Sequence, residues 1–139
     1  MEQSDQNALI IDQSGCQSMV GFVVDLSDAR IKRCMLDIGP QHLNRQNKLH
    51  GGLSAMMLDV ACGYAASAWF DSDAPVMVLT VSLNTMFVAP VNSGRITASA
   101  SPTGGGRKLV YVSGELRDAD DNLIASATGV FKRSGEVRA

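Results

Sequence analysis

The sequence is poor in aromatic side chains, which make up 5% of its 139 residues. Few platforms are available for stacking the bases of a single strand. It also lacks any run of charge of one sign: 12 Lys+Arg against 14 Asp+Glu leave a formal net charge of −2. A broad nucleic-acid surface needs a basic stripe, so no nucleic-acid partner is expected. Cysteine is sparse: Cys16, Cys34 and Cys62 are an odd number at wide spacing with no CxxC. That excludes the common zinc and thioredoxin-like patterns, and no metal site is expected. Reduced thiols in a cytoplasmic protein are the simplest account. Met1 to Asn7 is polar and acidic, without a basic run leading into an apolar core. No secretory leader is therefore expected. Internal repeats, low-complexity tracts and Pro/Ser-rich linkers are missing too.

What remains is 45% hydrophobic and 19% charged, the balance of a packed soluble domain. One domain over 1–139 is expected, with poorly anchored ends at about 1–15 and 134–139. Leu53 to Phe70 is apolar enough to raise the question of a membrane. It carries Asp59 near its centre together with Gly63 and Ser67. An acid at that depth would cost about 2.5–3.5 kcal/mol on insertion scales, so no membrane partner is expected.

Periodicity predicts strands over Met19–Leu26 and Ile31–Ile38, then a nine-residue polar loop, Gln41 to Leu49. Gly51 to Phe70 is the one long helix. Leu53, Met56, Met57, Val60, Ala61, Tyr64, Ala65 and Ala68 recur at three- and four-residue steps. Its other faces are also apolar, which predicts a helix enclosed by protein. Four strands follow, Val76–Val88, Arg95–Ser101, Lys108–Arg117 and Leu123–Lys132, joined by hairpin-sized connectors that include three successive glycines, Gly104 to Gly106. The expected fold class is α+β: one long helix wrapped by a curved, mainly antiparallel sheet of five to six strands.

Asp59 is the most informative residue. A carboxylate in apolar surroundings costs several kcal/mol unless it is paired or used. Mid-helix it cannot cap, and its helical neighbours Ala55, Met56, Cys62 and Gly63 include no base. Either it works chemically, or it makes a long-range hydrogen bond or lies at the surface. His50-Gly51-Gly52, at the loop–helix junction, is the second feature. Glycines let backbone approach a ligand, and a helix N-terminus offers free N–H groups suited to an oxyanion. The plainer reading of the bare tripeptide is a flexible turn, and His50 alone reads as structural.

Gly51 and Asp59 are eight residues apart. On one helix that is about 12 Å of rise and roughly 80° of rotation. Both cannot touch one carbonyl from the same chain. If both act on one substrate, the second comes from another subunit, and the site lies across a two-fold interface.

Asn44-Arg45-Gln46-Asn47-Lys48-Leu49-His50-Gly51-Gly52, then Leu58-Asp59, Val81-Ser82-Leu83-Asn84 and Pro90, resemble the hotdog-fold acyl-CoA thioesterases of the phenylacetate-pathway (PaaI-like) type. The likeness runs from about Met19 to Lys132. It implies a hotdog fold whose subunits pair edge to edge as dimers or dimers of dimers (homotetramers), with the active site between them. It implies hydrolysis of acyl-CoA to free acid and CoA, with no cofactor beyond the coenzyme A of the substrate. By position, Asp59 matches the catalytic carboxylate, acting as general base or nucleophile. Gly51 matches the glycine whose N–H polarises the thioester carbonyl. Asn44 and His50 match polar residues of the opposing subunit's site. Thr80 falls where relatives carry a hydroxyl beside the attacking water. The run Arg45 to Leu49 departs from the pattern in having no glycine.

For substrate binding, Gly52 joins the helix N-terminus, and Arg107 and Lys108 stand beside the glycine turn as cations for CoA phosphates. The plainer reading of that pair is a hairpin with a solvated basic flank. Two other functions remain open at this stage, a hydratase or dehydratase of acyl thioesters and a non-catalytic acyl-CoA or small-ligand binder. Only His42 and His50 could serve the former, and a costly acid argues against the latter.

Overall fold

The computed structural model describes residues 14–134. The first described element is a short helix, α1 (Gly15–Val20). The Ser14 side chain accepts from Gln17 N–H at 3.1 Å, and Gly21, at φ 92°, ends the helix by donating to the Gln17 carbonyl. The strand expected over Met19–Leu26 is corrected here. Met19 and Val20 complete α1, and only β1 (Val23–Asp25) is extended. A serine cap and a left-handed glycine outweigh the β preference of the segment. Ser14 and Gly15, expected in the poorly anchored end, belong to this capped helix. At the other end the Ser134 N–H donates to the Met77 carbonyl. The rest of that expectation lies outside the described residues.

Five more strands follow: β2 (Lys32–Asp37), β3 (Val78–Phe87), β4 (Arg95–Gly105), β5 (Leu109–Arg117) and β6 (Leu123–Arg133). They form one sheet in the order β1-β2-β4-β5-β6-β3, with every neighbouring pair antiparallel. Against it lies the long helix, α2 (Gly51–Phe70). The α+β architecture expected from the sequence is the one found.

Two details of connection differ. The segment after β3 is not a hairpin, since β3 pairs with β6 at the far edge. Residues 88–94 are tied to Ile124, Leu49 and Ile38 by main-chain bonds of 2.7–3.1 Å. They carry the chain across the end of the sheet to β4. The glycine-rich connector is also shorter than expected, because β4 continues to Gly105 through a register shift after Pro102.

The sheet buries alternate residues against the helix, among them Cys34, Leu36, Ile96, Ala98, Val110, Val112, Leu116, Ala127 and Phe131. Period-two burial on the strands meets a helical stripe of Ser54, Met57, Leu58, Ala61, Cys62, Ala65 and Ala66. Gly114 admits the helix closely, as a Cβ there would stand 3.2 Å from Cys62 Sγ and 3.3 Å from the Ser99 carbonyl. The long central helix expected from the sequence is found, packed on the curved sheet. One sheet covers one face only, and Met56, Asp59, Val60, Gly63 and Tyr64 are half-buried on the other. By length and composition α2 could cross a bilayer. Here it is the core helix of the sheet.

Candidate active site

The polar loop expected over Gln41 to Leu49 is a tied turn. A 3-10 turn (Pro40–His42) starts it, and Leu43 bridges to Leu49. Asn44 Oδ1 accepts from the Gln46 and Lys48 N–H groups at 2.9 and 3.1 Å, and the Asn44 N–H donates to the Lys48 carbonyl at 2.7 Å. Asn47 takes the left-handed conformation, φ 59°. Asparagine tolerates that region, so the turn closes without a glycine. Buried His42 anchors the whole. Its Nδ1 accepts from the Gly39 N–H at 2.9 Å, its Nε2 bonds the Val20 carbonyl at 2.8 Å, and its own carbonyl receives the His50 N–H at 3.0 Å.

That last bond sets the start of α2. His50 is the N-cap, and its Nδ1 accepts the Gly52 N–H at 2.8 Å. A ring nitrogen that accepts carries no proton, so the neutral imidazole presents Nε2–H outward. The Leu53 and Ser54 N–H groups return to the His50 carbonyl. Of the first four N–H groups, only that of Gly51 has no acceptor among the described residues. It stands at the positive end of the helix dipole, the place for an anionic oxygen. The Phe87 ring packs beside it, 3.3 Å from where a Gly51 Cβ would lie.

Two turns further along, Asp59 looks out from the half-buried face. The Thr80 hydroxyl donates to Asp59 Oδ1 at 2.8 Å. Val78 and Thr80 reach the same cavity by strand alternation, with Val76 just before the strand also lining it, and the register with β6 shifts immediately after Thr80. An irregularity beside a working side chain is a common way to aim it. No described basic residue pairs with the carboxylate. Below it, burial and then the Asp59 charge push the Cys62 thiol up to about 12.

Two cavities hold these groups. One, of about 230 Å³, is lined by Asp59, Gly63, Tyr64, Thr80 and Phe131 with neighbouring apolar residues. The other, about 370 Å³, includes Asn44, Gly51, Ser54, Phe87 and Pro90. Neither contains both Asp59 and Gly51, as the helical rise requires. The structure brings Asp59 to Thr80, and Asn44 and His50 to Gly51. It does not bring the two groups together within one chain. Gly52 is spent on the His50 cap, and Arg107 and Lys108 lie on the exposed β4–β5 turn away from both cavities.

Tyr64, Phe131 and Ser54 line the cavities without having been singled out from the sequence. Ser54, three residues from Gly51, was legible by helical spacing. Phe131 comes from a distant strand that no local spacing reveals.

The sequence profile of the thioesterase superfamily matches residues 46–125. The chain is 31% identical over 94 residues to "Putative esterase Rv1847" of Mycobacterium tuberculosis, 67% of each chain. The solved structure of that protein superposes with a TM-score of 0.80 at 26% identity, covering 91% of this chain and all of the other. "Putative esterase PA0474" of Pseudomonas aeruginosa is 31% identical over 97 residues, 69% of this chain and 70% of that one. The Escherichia coli PaaI protein of the phenylacetic acid degradation operon superposes with a TM-score of 0.81 at 18% identity, covering 97% and 94% of the two chains.

Proposed function

The chain belongs to the thioesterase superfamily and has its hotdog fold, and on that premise we propose that it hydrolyses acyl-CoA thioesters, in the manner of the PaaI-like type. The observation that carries this reading is the Thr80–Asp59 pair beside an open apolar cavity. The hydroxyl orients one carboxylate oxygen and leaves the other for water or for the thioester carbon. Asp59 takes the proton of the attacking water, or attacks the carbonyl carbon itself. The Gly51 N–H receives the oxygen that becomes negative, and His50 Nε2–H stands ready for the departing sulfur. With water as the attacking group the C–S bond breaks to give a carboxylic acid and the thiol of CoA; with Asp59 attacking, the same cleavage leaves an acyl–Asp59 anhydride, which a water molecule then hydrolyses to the acid and the free carboxylate. An oxyanion donor contributes about 10²–10³ in rate and a general base about 10²–10⁴.

The complete site is assembled from two copies of the chain. Strand β3 is a sheet edge with one free side, and its residues Leu79, Val81, Met86 and Phe87 are 54%, 58%, 66% and 61% exposed. Such an edge invites strand pairing, and a second copy supplies it with two-fold symmetry. Two antiparallel α2 helices then bring Gly51 of one beside Asp59 of the other when the axis passes near residue 55, midway between them. Ala55 stands there, small enough for close approach. Arg107 and Lys108 on the exposed turn are free to meet CoA phosphates. The setting is cytoplasmic, in keeping with three cysteines that form no disulfide.

Subunit mixing tests this. Gly51→Pro removes the N–H at a helix position that tolerates proline, and Asp59→Asn removes the base. Each variant alone is inactive, and their re-associated mixture regains roughly a quarter of wild-type CoA release if one intact site forms per mixed dimer. A mixture that stays inactive, or a monomer that is active, overturns the shared site. Water addition to enoyl-CoA without thiol release would instead identify a hydratase, and binding without turnover a carrier.

A further inference from the structure

Gly63 is a glycine in the middle of a long helix, where glycine weakens the helix relative to alanine. In a buried stripe it would be explained by close packing, as Gly114 is. Gly63 has no such reason. Among the described residues, a Cβ built on it would meet only Phe131 Cε2, at 3.8 Å, an ordinary contact. The protein's own fold leaves room for a side chain here and the sequence declines to use it.

The position explains the omission. Gly63 is one turn beyond Asp59 on the same half-buried face, and it lines the cavity that holds Asp59 and Thr80. Beyond Asp59, Thr80 and Ser67, the lining is apolar or aromatic: Val60, Tyr64, Pro75, Val76, Val78 and Phe131. At about 230 Å³ the space exceeds the roughly 150 Å³ that takes up a benzene ring. We propose that the bare backbone of Gly63 is the floor of the acyl channel, and that it admits apolar acyl groups larger than acetyl. Gly63 is a specificity-determining residue that trades helix stability for channel depth. This inference rests on the thioesterase reading above and names its substrate class.

The test compares Gly63→Ala and Gly63→Leu with wild type on acetyl-, hexanoyl- and decanoyl-CoA, following thiol release and thermal melting of the full chain. The ratio of kcat/KM for decanoyl-CoA to that for acetyl-CoA is expected to fall roughly tenfold in Gly63→Ala and further in Gly63→Leu, as pocket methylenes usually discriminate. Gly63→Ala is expected to melt above wild type. An unchanged ratio, or equal losses on all three substrates, overturns the proposal. So does a variant that melts lower or changes its oligomeric state, since the clearance then serves protein packing. A wild type that cleaves none of these esters overturns the hydrolase reading itself, which separates the two failures.

Discussion

The Thr80 hydroxyl on the edge strand reaches across to Asp59 in the middle of α2 and donates to its Oδ1 at 2.8 Å. The two residues are 21 apart in sequence and belong to different layers. The bond gives the carboxylate a fixed direction without a cation that would neutralise it, which is what a base or nucleophile requires.

Removing the carboxylate should stop the chemistry and spare the fold. Asp59 is half-buried and its hydrogen-bond partner among the described residues is a single hydroxyl, so Asp59→Asn is nearly isosteric and leaves no charge unpaired. CoA release should fall by about 10²–10⁴, with a melting temperature close to wild type. Turnover near the wild-type rate would show that another group does the work.

Thr80 separates the hydrogen bond from the shape. Thr80→Val keeps the volume and loses the donor. A bond to a charged group is worth about 1.5–3 kcal/mol, so kcat should fall by roughly 10- to 100-fold, with less effect on KM. Thr80→Ser keeps the hydroxyl and should recover most of the rate. Equal losses in both would mean that packing, not the bond, matters.

At His50, capping and chemistry can be told apart. His50→Ala removes the acceptor of the Gly52 N–H and should cost about 0.5–2 kcal/mol of stability, read as a lower melting temperature. His50→Asn restores a capping oxygen and should regain that stability. It lacks the outward Nε2–H in its place, so CoA release should stay low. A full recovery of rate by asparagine would reduce His50 to a cap.

The thiols offer a pH test. Cys16 is exposed, while Cys34 and Cys62 are buried. A disulfide reagent at pH 8 should label Cys16 rapidly and the other two only on unfolding. Cys62 is held up at about 12 against an ordinary value of 9.0. A raised value in the folded state means the neutral thiol is favoured there. Its contribution is complete below pH 9 and is lost as pH rises from 9 toward 12. Alkaline unfolding of Cys62→Ala should therefore be less steep than that of wild type. Identical slopes would place the ionisation elsewhere.

Much of this was written locally. The long helix is bounded as the periodicity of Gly51 to Phe70 implies, and the last four strands fall within a few residues of their alternating segments. Residues 19–20 differ from the strand that their β preference implies, because Ser14 and Gly21 cap a helix across them. The course of β3 was hidden as well. Its partner is β6, beyond both β4 and β5 in the chain, and the length of a connector says nothing about which edge a strand will join.

For the site, the sequence by itself determined the chemical groups and their distance along the helix. Gly51 and Asp59 are separated by helical rise whatever the rest of the chain does, and an acid without a helical cation is visible in one dimension. Tertiary structure decided what each group touches. Only folding could bring Thr80 to Asp59, direct His50 onto the Gly52 N–H, close the Asn44 turn on itself, and leave one face of α2 uncovered. Those outcomes depend on strand order, register and a sheet that spans a single face of the helix. Contacts of that kind are set by long-range packing, which local spacing does not encode.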